Sequence, residues 1–227
     1  MEVLRDLGER IVSCSRCPRL VEFRKKVAER KPRRYRNWDY WSKPLPGFGD
    51  PEAKLLIVGL APAAHGGNRT GRMFTGDGSG EWLARALYET GFANKPTSTH
   101  REDGFRLRGA YITAVVRCVP PENRPTPEEI ENCNPYLIEE LTALKNLRVI
   151  LCLGSVALSG TLKALRRLYP DADLKGIKFG HSRLYTPRGL PYTLITSYHP
   201  SRQNTQTGRL RWDEWLGVFR RVREVLG

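Results

Sequence analysis

The run KLLIVGLA, residues 54–61, decides the fold. It is short, continuous and apolar, which is how a strand buried on both faces reads. A Gly-rich loop follows from Pro62 to Gly80. Glu81 to Phe92 is then helical, with Trp82, Leu83, Ala86 and Leu87 on one face. Residues 94–108 are polar and read as loop. Ala110 to Cys118 is a second buried strand. Thr126-Pro127-Glu128-Glu129 joins an N-cap, a first-position Pro and a capping Glu, so a helix starts there. Pro135 is expected to kink or restart it before Leu147. Arg148 to Leu153 reads as a third strand, Ser155 to Tyr169 as a helix, and residues 170–191 as loop or irregular strand. Tyr192 to Tyr198 is the fourth strand, and Arg211 to Leu226 an amphipathic helix. On the N-terminal side, Val3 to Val12 and Arg19 to Arg30 read as short helices, and residues 31–53 as an ordered loop rich in Pro, Gly and aromatics. Alternating strands and helices predict an α/β fold: one domain over residues 1–227, with a mostly parallel sheet of about four strands and helices on both faces.

Lys and Arg number 38 against 24 Asp and Glu, a formal charge of +14. That excess favours a polyanionic partner, nucleic acid first. It is concentrated between Arg16 and Arg36, where ten basic residues, including Arg33, Arg34 and Arg36, face only Glu22 and Glu29. A merely solvated basic face is the plainer alternative. No apolar stretch is long enough to cross a bilayer and no signal-peptide pattern precedes the first Cys. A cytoplasmic monomer without a membrane partner is expected.

Cys14 and Cys17 form a C-x-x-C pair. Cys118 closes the second strand and Cys133 follows the start of the capped helix. Thiolates converging from separate elements suggest a shared metal centre, and spacing alone leaves Zn²⁺ and an iron–sulfur cluster both open. Cys152 lies inside the third strand and reads as a small core residue.

In a parallel sheet, ligands sit beyond the C-terminal strand ends. Two unusual polar segments start there: APAAHGG after the first strand and HPSRQ after the fourth. The first lacks a dinucleotide fingerprint, and GDGSGE lacks the Lys of a phosphate loop, which argues against nucleotide-triphosphate chemistry. Its glycines still let backbone N–H groups approach a planar ligand closely. Phe74, set among small residues, is either core packing or a stacking platform for a base.

GLAPAAHGGNRTGRMFTGDGSG, HPSRQNTQTGR and the four-cysteine spacing together resemble the iron–sulfur uracil-DNA glycosylases, most similarly the type B, or family 5, branch. The likeness runs from Cys14 to about Arg211. It implies a uracil-DNA glycosylase-like fold, a 4Fe–4S cluster on Cys14, Cys17, Cys118 and Cys133, and base excision repair by a monofunctional enzyme. The substrate implied is DNA containing uracil or another deaminated base, such as hypoxanthine. By the same resemblance Phe74 stacks on the flipped base. Backbone around Gly59, Ala61 and Ala63 lines the base pocket, and His199 faces the base's O2 and steadies the leaving anion. For His199 the alternative is a strand-end cap before Pro200. Other branches carry a carboxylate where Leu60 and Ala61 stand here, so Asp77 is the candidate for activating water; a helix N-cap is its alternative. Where several branches carry an Asn on the second strand, this chain has Ala114, and Asn123 is the substitute reader of the base edge. Arg202 and Gln203 stand in the loop that enters the minor groove, with an ordinary surface loop as alternative. Two rivals remain: a zinc-containing nucleic-acid-binding module without catalysis, and a nucleotide- or sugar-modifying enzyme on a similar sheet.

Overall fold

The computed structural model describes residues 2–227. Six strands form one sheet: β1 (Phe48–Gly49), β2 (Leu55–Gly59), β3 (Ala110–Ala114), β4 (Val149–Leu153), β5 (Arg183–Tyr185) and β6 (Thr193–Ser197), in the order β1-β3-β2-β4-β6-β5. The four expected strands are the parallel ones, β3-β2-β4-β6. β1 and β5 are antiparallel additions at the two edges. They are two and three residues long, too short to show a period in sequence, and they cover edges that would otherwise present unpaired backbone.

Among the described residues eight α-helices surround the sheet: α1 (Glu2–Val12), α2 (Pro18–Glu29), α3 (Gly67–Thr70), α4 (Gly78–Glu89), α5 (Pro127–Ala143), α6 (Ser155–Leu168), α7 (Arg202–Gln206) and α8 (Trp212–Leu226). Alternate residues of each central strand enter opposite cores. Leu56, Val58, Ile150 and Leu194 pack with Leu137 and Leu141 of α5 and Leu158 and Leu165 of α6. Leu55, Ile57, Leu151 and Ile195 pack with Leu83 and Leu87 of α4 and Trp215, Phe219 and Val222 of α8. Burial on both faces explains why the central strands read as unbroken apolar runs.

Several local expectations need correcting. α5 runs unbroken for 17 residues through Pro135. Its Thr126–Glu129 capping box and the burial of Cys133, Tyr136, Leu137 and Leu141 outweigh the cost of about 3 kcal/mol for an interior Pro. Residues after His199 are not all loop: Ser201 caps α7, a helix of five residues. The Gly-rich loop holds the single turn α3.

A buried ion pair joins α5 to the chain leaving β3. Arg117 Nη1 and Nη2 donate to the Glu140 carboxylate at 2.9 and 2.7 Å, and Thr113 Oγ1 donates to it at 2.6 Å. Both charged side chains are at most 1% exposed. Among the described residues no helix is long and apolar enough to cross a membrane.

Candidate active site

β2 lies between β3, the next central strand in the chain, and β4, which follows β3, so the strand order reverses at β2. Such a reversal opens a crevice at the carboxyl ends of the strands. A cavity of about 590 Å³ occupies it, lined by segments 60–66 after β2, 153–157 after β4 and 199–202 after β6. Phe74, Asp77, Asn123 and His199 all reach it.

Phe74 stands on the cavity wall with φ of +48°, a left-handed backbone that bulky residues rarely adopt. Its ring lies over the end of β2. A Cβ on Gly59 would sit 2.7 Å from Phe74 Cε2, so only glycine fits beneath it. The ring centroids of Phe74 and His199 are 5.5 Å apart, tilted by 34°.

His199 stands two residues beyond the end of β6. Its carbonyl accepts from Asn204 Nδ2 at 2.7 Å and from Ser201 N at 2.8 Å, which fixes the strap. Burial pushes its pKa down to about 4, although the ring keeps surface open to the cavity. The imidazole is therefore neutral near pH 7, with one N–H donor and one acceptor nitrogen.

Asp77 does two things at once. Its Oδ1 accepts from Gly80 N at 2.8 Å and caps α4, which starts at Gly78 and not near Glu81. The carboxylate also lines the cavity, with Oδ2 over Gly66 where any Cβ would overlap it. Burial raises its pKa above the ordinary Asp value; the Gly80 and Ser79 amides act against this.

Asn123 ends a 3₁₀ turn, Pro121–Asn123, in which both Glu122 and Asn123 have positive φ. Ala61 and Ala63 line the cavity, whereas Gly59 lies beneath Phe74 and does not. Arg34 and Arg202 stand on its lining. Arg33, Arg36 and Gln203 are exposed and outside it.

His65 is a lining residue that the sequence reading passed over. Its Nδ1 bonds Tyr40 Oη at 2.9 Å, and burial, with Arg34 and Arg69 nearby, lowers its pKa. Arg69 is inserted between Tyr35 and Trp38, with its guanidinium carbon 4.0 and 4.1 Å from the two ring centroids. Such contacts clamp the aromatic 35–41 loop onto the Gly-rich loop. An aromatic cluster in a loop has no period, so only its composition could have hinted at this.

Cys14, Cys17, Cys118 and Cys133 line a second, small cavity with Arg24 and Arg117. None of them is in a disulfide, and among the described residues no three metal-ligating side chains stand at ligating separation. Arg24 Nη1 donates to Cys118 Sγ at 3.0 Å, and Asn132 Nδ2 to Cys17 Sγ at 3.6 Å. Burial pushes the Cys118 thiol up to about 12 and Cys133 up to about 11. Nε of Arg24 and of Arg117 is buried without a partner. Four thiols beside two guanidinium groups form a donor set suited to a thiolate-bound metal, because the cations offset thiolate charge. Cys152 is buried in β4, away from this cavity, with Sγ 3.5 Å from Thr161 Oγ1.

Residues 46–221 match the family model of the Uracil DNA glycosylase superfamily. The chain is 46% identical over 218 residues to a type-5 uracil-DNA glycosylase of Pyrobaculum aerophilum, covering 96% of this chain and 91% of the relative. It is also 46% identical to a type-5 uracil-DNA glycosylase of Thermus thermophilus, over 96% of this chain and 95% of that one. Identity to a type-4 uracil-DNA glycosylase of Pyrobaculum aerophilum is 32%, over 87% and 83% of the two chains. The chain belongs to the uracil DNA glycosylase superfamily, and within it to the type-5 branch.

Proposed function

We propose that this protein removes uracil from DNA by hydrolysing the N-glycosidic bond of a nucleotide flipped into the 590 Å³ cavity. The observation that carries this reading is the facing pair of Phe74 and His199 at the switch point of the sheet. The base stacks on Phe74. The neutral His199 ring donates its N–H to the base oxygen that gains charge as the bond breaks. One such donor contributes about 2.7–4 kcal/mol in other enzymes. Asn123 meets the base edge, and backbone at Ala61 and Ala63 closes the pocket around it. Arg34 and Arg202 at the cavity, with Arg33, Arg36 and Gln203 on the surface beside it, hold the phosphate backbone. No Lys lines the cavity among the described residues, so a Schiff base with strand cleavage is not expected. Incubation with DNA carrying one uracil should yield a break only after alkali. Intact DNA after alkali would overturn the reading.

Asp77 orients the attacking water, since Leu60 and Ala61 supply no acid or base. Its raised pKa means the working carboxylate is lost as pH falls through a value above the ordinary Asp range. Single-turnover excision should therefore show an acid limb above that range. Asp77→Asn should lower the plateau by about a hundredfold, the low end for a general base, and remove the limb. Uracil, whose departing anion His199 stabilises, should tolerate the loss better than hypoxanthine. Equal rates and an unchanged profile on both bases would leave Asp77 as a helix cap.

Cys14, Cys17, Cys118 and Cys133 hold a 4Fe–4S cluster whose role is structural, tying the basic N-terminal segment to the chain that leaves β3 and to α5. The small cavity, about 10 Å³, is the one observation favouring a single Zn²⁺. Metal analysis separates the two. Iron and acid-labile sulfide should be present in the wild type and in Cys152→Ala, and absent in Cys14→Ala and Cys133→Ala. Zinc without iron would overturn the cluster.

A further inference from the structure

The turn that presents Phe74 rests on a buried polar knot. Arg72 is 4% exposed and spends four of its N–H groups inside it. Nε donates to Thr75 Oγ1 at 3.0 Å, Nη1 to the Arg101 carbonyl at 3.2 Å, and Nη2 to Ser98 Oγ at 2.8 Å and Asp103 Oδ1 at 2.9 Å. The guanidinium carbon lies 5.0 and 5.3 Å from the ring centroids of Phe48 and Phe105. Thr75 Oγ1 is the centre of the knot. Besides Arg72 it meets Ser98 Oγ at 2.6 Å and donates towards the Met73 carbonyl at 3.0 Å. Gly76 N donates to the Ser98 carbonyl at 2.9 Å. Thr75 and Ser98 are at most 2% exposed.

The knot thus grips the chain on both sides of Phe74 and leaves the aromatic ring free to face the cavity. A left-handed backbone at a bulky residue is strained and persists only when its surroundings fix it. We propose that Thr75, held by Arg72 and Ser98, is a positioning residue for excision. Its hydroxyl sets the Phe74 backbone and hence the plane on which the base stacks. This inference rests on the reading of Phe74 as the stacking platform.

The test is a double-mutant cycle read by single-turnover excision of uracil. Thr75→Val keeps the shape and removes the hydroxyl; Thr75→Ser keeps the hydroxyl. Misplacement of about 1 Å costs about a hundredfold in rate, which is the loss expected for Thr75→Val. Thr75→Ser should return to within a few-fold of wild type. In a Phe74→Ala background, Thr75→Val should slow excision no further, because the group it positions is gone. If Phe74→Ala excises at the wild-type rate, the stacking reading itself falls. If Phe74→Ala is slow and Thr75→Val multiplies that loss, the positioning role falls. Should Thr75→Val not fold, Ser98→Ala removes two bonds of the same knot and enters the same cycle with the same expectations.

Discussion

Replacing His199 with Ala is expected to slow single-turnover excision of uracil about a hundredfold to a thousandfold, the effect of losing one donor to a developing anion. The ring has no side-chain hydrogen bond to another described residue, so its removal strands no partner in the protein. Binding to product DNA should change far less, because phosphate contacts dominate affinity. With its pKa down at about 4, His199 is already neutral near pH 7, so its loss should leave the dependence of the rate on pH around neutrality unchanged. The buried ring does affect stability in acid. The unfolded chain takes up the proton near pH 6.5 and the folded chain only near 4, so stability falls as pH drops through that window. Excision by His199→Ala at the wild-type rate would reduce the residue to a strand-end cap.

Glu140→Gln is expected to be the most damaging substitution for stability. The carboxylate accepts three hydrogen bonds, two from Arg117 and one from Thr113, in a site closed to solvent. Gln keeps the shape but leaves the guanidinium buried without a counter-charge. Breaking a buried pair in this way costs about 3–5 kcal/mol. For a chain of this size that corresponds to a fall in Tm of roughly 6–20 °C. Arg117 also lines the cysteine cavity, so metal content should be measured in the same variant. A Tm within 2 °C of wild type, on the roughly 2–4 °C per kcal/mol expected here, would show that the pair is replaceable.

The central sheet was legible because its four parallel strands are buried on both faces, which leaves continuous apolar runs such as 54–61. The edge strands were not, since two or three residues carry no period. Pro135 misled because the propensity of one residue was set against a helix whose burial decides the matter. At the site, Phe74 and Asp77 share one stretch of sequence, Asn123 and His199 stand in two others, and all four meet on one cavity. The family motifs named them; no spacing rule could have brought them together. His65 escaped because its position depends on a Tyr40 hydrogen bond across a loop without period. The Thr75 knot escaped for a related reason: Arg72, Ser98 and Asp103 look like ordinary polar loop residues until the fold buries them.

The glycine at position 66 imposes an order on the substitutions that positions 66 and 77 can accept. The space a Cβ would need there is already filled by the Asp77 carboxylate. A lineage that enlarged residue 66 first would have to expel that carboxylate from the cavity and from the cap of α4 in one step. A lineage that surrendered Asp77 first would free the space and could then add a side chain at leisure. Traffic between the two arrangements therefore passes through position 77, and the return journey is barred until residue 66 is small again.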